Sequence, residues 1–182
     1  MFKFFKKSKK EEQVIINYDN LIELTKILTE NDDVFVNKIT LLVKDANLFS
    51  NTYSDLLEYY GYTAKEDKNN ITLFILSDYY TPKSYGVYCD WKEDPEEILG
   101  WLEKTVKNKK YKIDFKGLEF TTEEETLTGI EKIKHHLEKD EYTLLDWDSG
   151  GDCYNLFIVK KEQEAILKKL AEASAIHLGS PV

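Results

Sequence analysis

A chain of 182 residues suits one domain, or one domain with an added subdomain, and 42% hydrophobic residues are enough to build a core. The net charge is −9, all 25 basic residues are Lys, and five of them fall in the first ten positions, so the other 172 residues carry about −14. A body this acidic repels nucleic-acid phosphates, and without Arg it lacks the usual bidentate reader of phosphate and guanine, which argues against a nucleic-acid partner and against a nucleotide enzyme.

Residues 1–12, M-F-K-F-F-K-K-S-K-K-E-E, read as a flexible Lys-rich tail. Phe2, Phe4 and Phe5 among the lysines would support only a weak peripheral contact of residues 1–10 with an anionic membrane surface. No apolar run has the length of a transmembrane segment, and the start lacks the apolar stretch of a signal peptide. A cytoplasmic bacterial protein is therefore expected. Cys89 and Cys153, each among apolar or aromatic neighbours, read as free thiols and not as a disulfide or a metal site.

Residues 13–182 read as a single α+β domain, with a helical part at 13–62 and a sheet-containing part at 70–180. Leu21, Leu24, Ile27 and Leu28 make a helical stripe within 18–30. Residues 34–44 suit a strand by their β-branched content. Val34, Val36, Ile39, Leu42 and Val43 also share one helical face, and we read a helix. Tyr53, Leu56, Leu57 and Tyr60 mark a further helix over 51–60, which Gly61 is placed to end.

The character then changes. Residues 71–78, I-T-L-F-I-L-S-D, read as a strand, Y-Y-T-P-K-S as a turn, and 85–91 as a second strand. Asp94 and Pro95 open a helix as cap and first residue, with Glu96 and Glu97 on the positive end of its dipole. Residues 111–115, Y-K-I-D-F, alternate as a strand does, and Thr122 with Glu125 suggests a capping box for a helix over 122–139. Hairpin 142–160 and helix 162–174 then repeat the pattern of hairpin 71–91 and helix 95–107. The fold expected is thus α+β: a mixed or mainly antiparallel sheet of five to six strands from two strand–strand–helix–strand units, with a helical N-terminal third.

Only the turn of the second hairpin, D-W-D-S-G-G-D, holds a constellation that could carry chemistry. Asp146 and Asp148 are two apart in a strand and share a face, and Asp152 returns beyond Gly150-Gly151. Three converging carboxylates would hold Mg²⁺ or Ca²⁺. The same residues equally suit an ordinary turn, where Asp and Ser bond backbone amides and glycine takes positive φ. An EF-hand loop counted from Asp146 fails, because Phe157 stands where the bidentate Glu belongs. L-L-D-W-D-S is similar to the opening motif of haloacid-dehalogenase phosphatases, but that family places it near the start of its domain. His135 and His136 are adjacent on a helix and diverge around its axis, so they make a poor metal pair. Trp91, Trp101 and Trp147 suit a core or its rim.

Residues 70–180 resemble a bacterial family known only as a domain of unknown function. The likeness lies in Asp146, Asp148, Ser149, Asp152, Tyr154 and Leu156 to Val159, and upstream in Asp90, Trp91, Trp101, Leu102 and Glu103. Members of that family tend to read D-S-D-S-Y where this chain has D-S-G-G-D-C-Y. The resemblance implies a small cytoplasmic α+β protein and no established activity. The function expected is a non-catalytic binding or regulatory protein, such as an immunity-type protein, whose acidic surface meets a basic protein partner. The alternative is a metal-dependent hydrolase built on Asp146, Asp148 and Asp152. Oligomeric state is left open.

Overall fold

The computed structural model describes residues 16–78, 81 and 83–181. The Lys-rich tail at 1–12, and the membrane contact assigned to residues 1–10, lie outside them. Chain order begins with five helices: α1 (Asp19–Leu28), α2 (Asp33–Lys44), α3 (Ala46–Thr52), α4 (Ser54–Tyr60) and α5 (Lys68–Ser77). Strand β1 (Val87–Asp90), α6 (Pro95–Lys109) and α7 (Thr126–Leu137) follow. The chain closes with β2 (Tyr142–Asp148), β3 (Cys153–Lys160), α8 (Glu164–Ala173) and β4 (His177–Gly179).

Local chemistry accounts for most of these boundaries. Asp32 caps α2 by accepting from the Val34 amide at 2.9 Å, and Asp45 caps α3 through the Leu48 amide at 2.9 Å. The helix expected over 51–60 is interrupted at Tyr53 and becomes the end of α3 plus α4, which Gly61 does terminate in the left-handed conformation (φ 68°). Asp94 caps α6 through the Glu96 amide at 2.8 Å, with Pro95 in its first turn. The capping box expected from Thr122 and Glu125 does not form. The Thr121 amide donates to Glu124 instead, one residue earlier, and α7 starts at Thr126.

Among the described residues the sheet has four strands in the order β1-β3-β2-β4, all antiparallel, not five or six. Two expected strands account for the difference. Residues 71–77 belong to helix α5, whose Ile71, Thr72, Leu73, Ile75, Leu76 and Ser77 are all buried, and Asp78 ends it. A helix buried around most of its circumference reads as a nearly continuous apolar run, just as a doubly covered strand does, and periodicity cannot separate the two. Residues 111–115 form neither helix nor strand and pair with no strand. Their alternation is real, because Phe115 is buried and Tyr111 and Ile113 pack against the core while Lys112 and Asp114 are exposed. It reports which side chains face inward, not whether a neighbouring backbone is there to bond. With α5 helical, the hairpin at 71–91 and the double strand–strand–helix–strand repeat are both absent.

Helices cover both faces of the sheet. Leu145, Trp147, Phe157, Val159 and Leu178 point to one face and pack with α1–α5 and α8. Val87, Cys89, Leu144, Leu156 and Ile158 point to the other and pack with α6 and α7 through Ile98, Leu102, Ile130, Ile133 and Leu137. This explains the unbroken apolar run Leu156–Val159 in β3: both faces of that central strand are covered, so every position is buried. Each such side chain contributes on the order of 1.5–3 kcal/mol by leaving water. Among the described residues, no helix is long and apolar enough to cross a membrane.

Candidate functional site

A cleft opens at the end of β1. Asp90 closes a turn there: its carboxylate accepts from the Lys92 amide at 2.9 Å and its carbonyl from the Glu93 amide at 3.1 Å. The turn swings Trp91 out of the sheet and leaves it half exposed. Asp94 then starts α6, so the acidic run E-D-P-E-E stands at that helix's positive end. A second acidic run, Glu123 to Glu125, precedes α7. The Thr126 hydroxyl donates to the Glu93 carbonyl at 2.8 Å and ties the two helix starts together. Gly129 permits this approach, since a Cβ there would run into the Pro95 ring.

The result is a cleft of about 650 Å³ lined by Trp91, Tyr154 and Leu127 and by five carboxylates, Glu93, Asp94, Glu123, Glu124 and Glu125, against one lysine, Lys92. Leu127 is exposed, as is Tyr88 nearby on β1. The Lys92 ammonium lies over the Trp91 ring, 4.3 Å from its centre, so the indole face already receives a cation. Glu124 is the most enclosed of the acids, with its side chain 5% exposed. Its Oε2 accepts from Lys132 at 2.5 Å and from the Thr121 amide at 3.2 Å, while its Oε1 is buried with no hydrogen-bond partner. The Lys132 ammonium holds its carboxyl below the usual value, so Glu124 is charged. Such a site attracts cations and apolar side chains.

The acidic turn of the β2–β3 hairpin has a different character. Asp148 is exposed, and its Oδ1 accepts from the Gly150 amide at 2.7 Å, with Gly150 at φ 78°. Asn155 braces the turn from behind, donating to the Trp147 carbonyl at 2.9 Å and to the Ser149 hydroxyl at 3.3 Å. Asp152 is exposed at the tip. Asp146 is half buried on the face shared with Leu144 and accepts from the Asn155 amide at 2.7 Å. Burial pushes its carboxyl up to about 6, against the pull of that amide and with help from Asp148. Among the described residues, no group of three or more His, Cys, Asp or Glu side chains is placed to hold a metal ion. Trp147 is buried in the opposite core, which settles which side of β2 its acids occupy.

The remaining candidates are dispersed. His135 is exposed, whereas His136 bonds the Asp114 carbonyl at 2.7 Å and stacks on Phe115. His177 is exposed opposite Asp148 in the β2–β4 ladder. Cys89 is buried, and burial raises its thiol well above the ordinary value. Cys153 is half buried, and both are free. The acidic cleft was not foreseen. Its two halves carry only the signs of helix starts, and their acidic runs, roughly thirty residues apart, are the available signal.

A family model described as "Domain of unknown function (DUF6630)" matches residues 20–181, most of the chain and more than the 70–180 over which the resemblance was read. No curated protein and no solved structure matches.

Proposed function

We propose that this chain, which belongs to the DUF6630 family, is a non-catalytic binding protein of the bacterial cytoplasm. It receives a basic segment of a partner protein in the acidic cleft, in the manner of an immunity-type or regulatory protein. The observation that carries the reading is the cleft itself: five carboxylates and one lysine around a half-exposed tryptophan. A carboxylate–ammonium pair at 4 Å contributes about 1 kcal/mol in water and about 4 kcal/mol where water is thinned out. A cation on an indole face adds roughly 0.5–2 kcal/mol. The −9 net charge raises the encounter rate with a positive partner and makes it sensitive to salt. The two free thiols suit a reducing compartment.

The test is anisotropy of a short labelled peptide rich in Lys and Arg. Affinity should fall by about tenfold or more between roughly 50 and 200 mM salt. Trp91→Ala and Glu125→Lys should each weaken it by about tenfold, the loss of one good contact. Binding that ignores salt, or that survives both substitutions unchanged, refutes the reading.

A further inference from the structure

A second cavity, of about 540 Å³, opens on the other side of the sheet from the acidic cleft, between α2, α4 and α5. Its walls are apolar and largely aromatic: Phe35 from α2, Leu56 and Tyr60 from α4, Phe74 from α5, with the highly exposed Tyr59 at the rim. Tyr60 and Phe74 are in contact and form one continuous surface. The volume lies within the range of small-molecule sites.

One cation of this cavity, Lys38, has no ion pair with a described carboxylate. Lys38, one turn along α2 from Phe35, is half buried and lines the space. Its ammonium sits 4.9 Å from the centre of the Tyr53 ring, and no described carboxylate lies within ion-pair distance of it. Burial lowers its affinity for its proton, as expected of a desolvated cation without a counter-ion. The chain has 34 acidic residues for 25 basic ones, so an enclosed lysine lacking an acid is not a matter of supply. The other lysine of the cavity, Lys83, is held by Asp32, which also accepts from the Tyr85 hydroxyl at 2.6 Å.

We propose that this cavity binds a small apolar monocarboxylate, its aromatic or branched body against Phe35, Tyr60 and Phe74 and its carboxylate on the Lys38 ammonium. A single cation matches a single negative charge. Asp55, which also lines the cavity, disfavours a second negative charge, so phosphates and dicarboxylates are selected against. The site is independent of the acidic cleft, and neither reading needs the other.

Titration calorimetry on the full chain with phenylacetate, phenylacetamide and phenethylamine tests it, because the three share a ring and differ in charge. Phenylacetate should bind at sub-millimolar concentration, with the amide weaker by about tenfold and the amine weaker still. Lys38→Met should cost phenylacetate about tenfold and leave the amide unchanged, with its melting temperature showing that the fold is retained. Lys38→Gln, which keeps a polar end, should behave alike. Absence of phenylacetate binding, an amide or amine that binds as well, or Lys38 variants with wild-type affinity would each overturn the assignment.

Discussion

Two ionisable side chains, half-buried Asp146 and buried Lys109, make the fold's stability depend on pH in separate windows. Asp146 has a folded value of about 6 against an ordinary 3.8, raised chiefly by burial. A raised carboxyl favours the protonated folded state. Its contribution is complete below about pH 4 and is lost as pH rises through about 6. Asp146→Asn keeps an acceptor for the Asn155 amide and removes the charge. The variant should be more stable than the parent by about 1–2 kcal/mol at pH 7, after discounting for partial exposure, and the gap should close towards pH 4. Urea unfolding of both proteins across that range measures it, and a gap constant with pH would contradict the burial argument.

Lys109 behaves with the opposite sign. It is 5% exposed, its Nζ donates to the Ile158 carbonyl at 2.6 Å, and burial lowers it to about 7, with Glu30 opposing and Lys160 reinforcing the shift. The unfolded chain holds that proton up to about pH 10.5, so folding gains as pH rises above 7 and loses as it falls through that value. Lys109→Met should flatten the rise. Between pH 7 and 9 the parent should gain about 2 kcal/mol relative to the variant in denaturant unfolding. No relative change would mean that Lys109 remains protonated in the fold.

At the scale of elements, the crossing of α6 and α7 decides whether the cleft exists. Gly129 meets the Pro95 ring where a Cβ would clash. Helix propensity alone favours Ala over Gly by about 1 kcal/mol in a helix interior. Here the clash should reverse the sign. Gly129→Ala is expected to destabilise by about 1–3 kcal/mol in thermal or urea unfolding, and to weaken peptide binding by shifting Thr126 and Glu124 away from Trp91. A stabilised variant with intact binding would show that the two helices can part without consequence. Helices with one dry face were legible from their spacing: α1, α2, α6, α7 and α8 all stand near where their stripes lie. The two failures, α5 and residues 111–115, share a cause. In each the apolar pattern correctly marks burial, but the backbone's partner is set by elements far away in the chain.

At the scale of the whole molecule, charge and layering act together. Helices cover both faces of the sheet, and its exposed side chains, Tyr88, Asp90, Asp148 and His177, lie on the edge strands or at strand ends. One layer carries an acidic cleft and the other an apolar cavity with an unmatched lysine. A net charge of −9 attracts cations to the molecule and slows the approach of anions.

Caps, turns and amphipathic faces act over a few residues, and sequence patterns record them directly. Asp94–Pro95, Gly61, the β2–β3 hairpin with its Asp148–Gly150 turn, and the acidic, arginine-free composition were all readable in advance. Long-range packing settled the rest. It made α5 a helix by enclosing it, denied residues 111–115 a neighbouring strand, and joined two acidic helix starts through Gly129 and Pro95. It left Asp146, Asp148 and Asp152 as one half-buried and two exposed carboxylates. The period of a sequence encodes which side chains are buried. What buries them, and what meets them there, depends on contacts between residues that no local pattern relates.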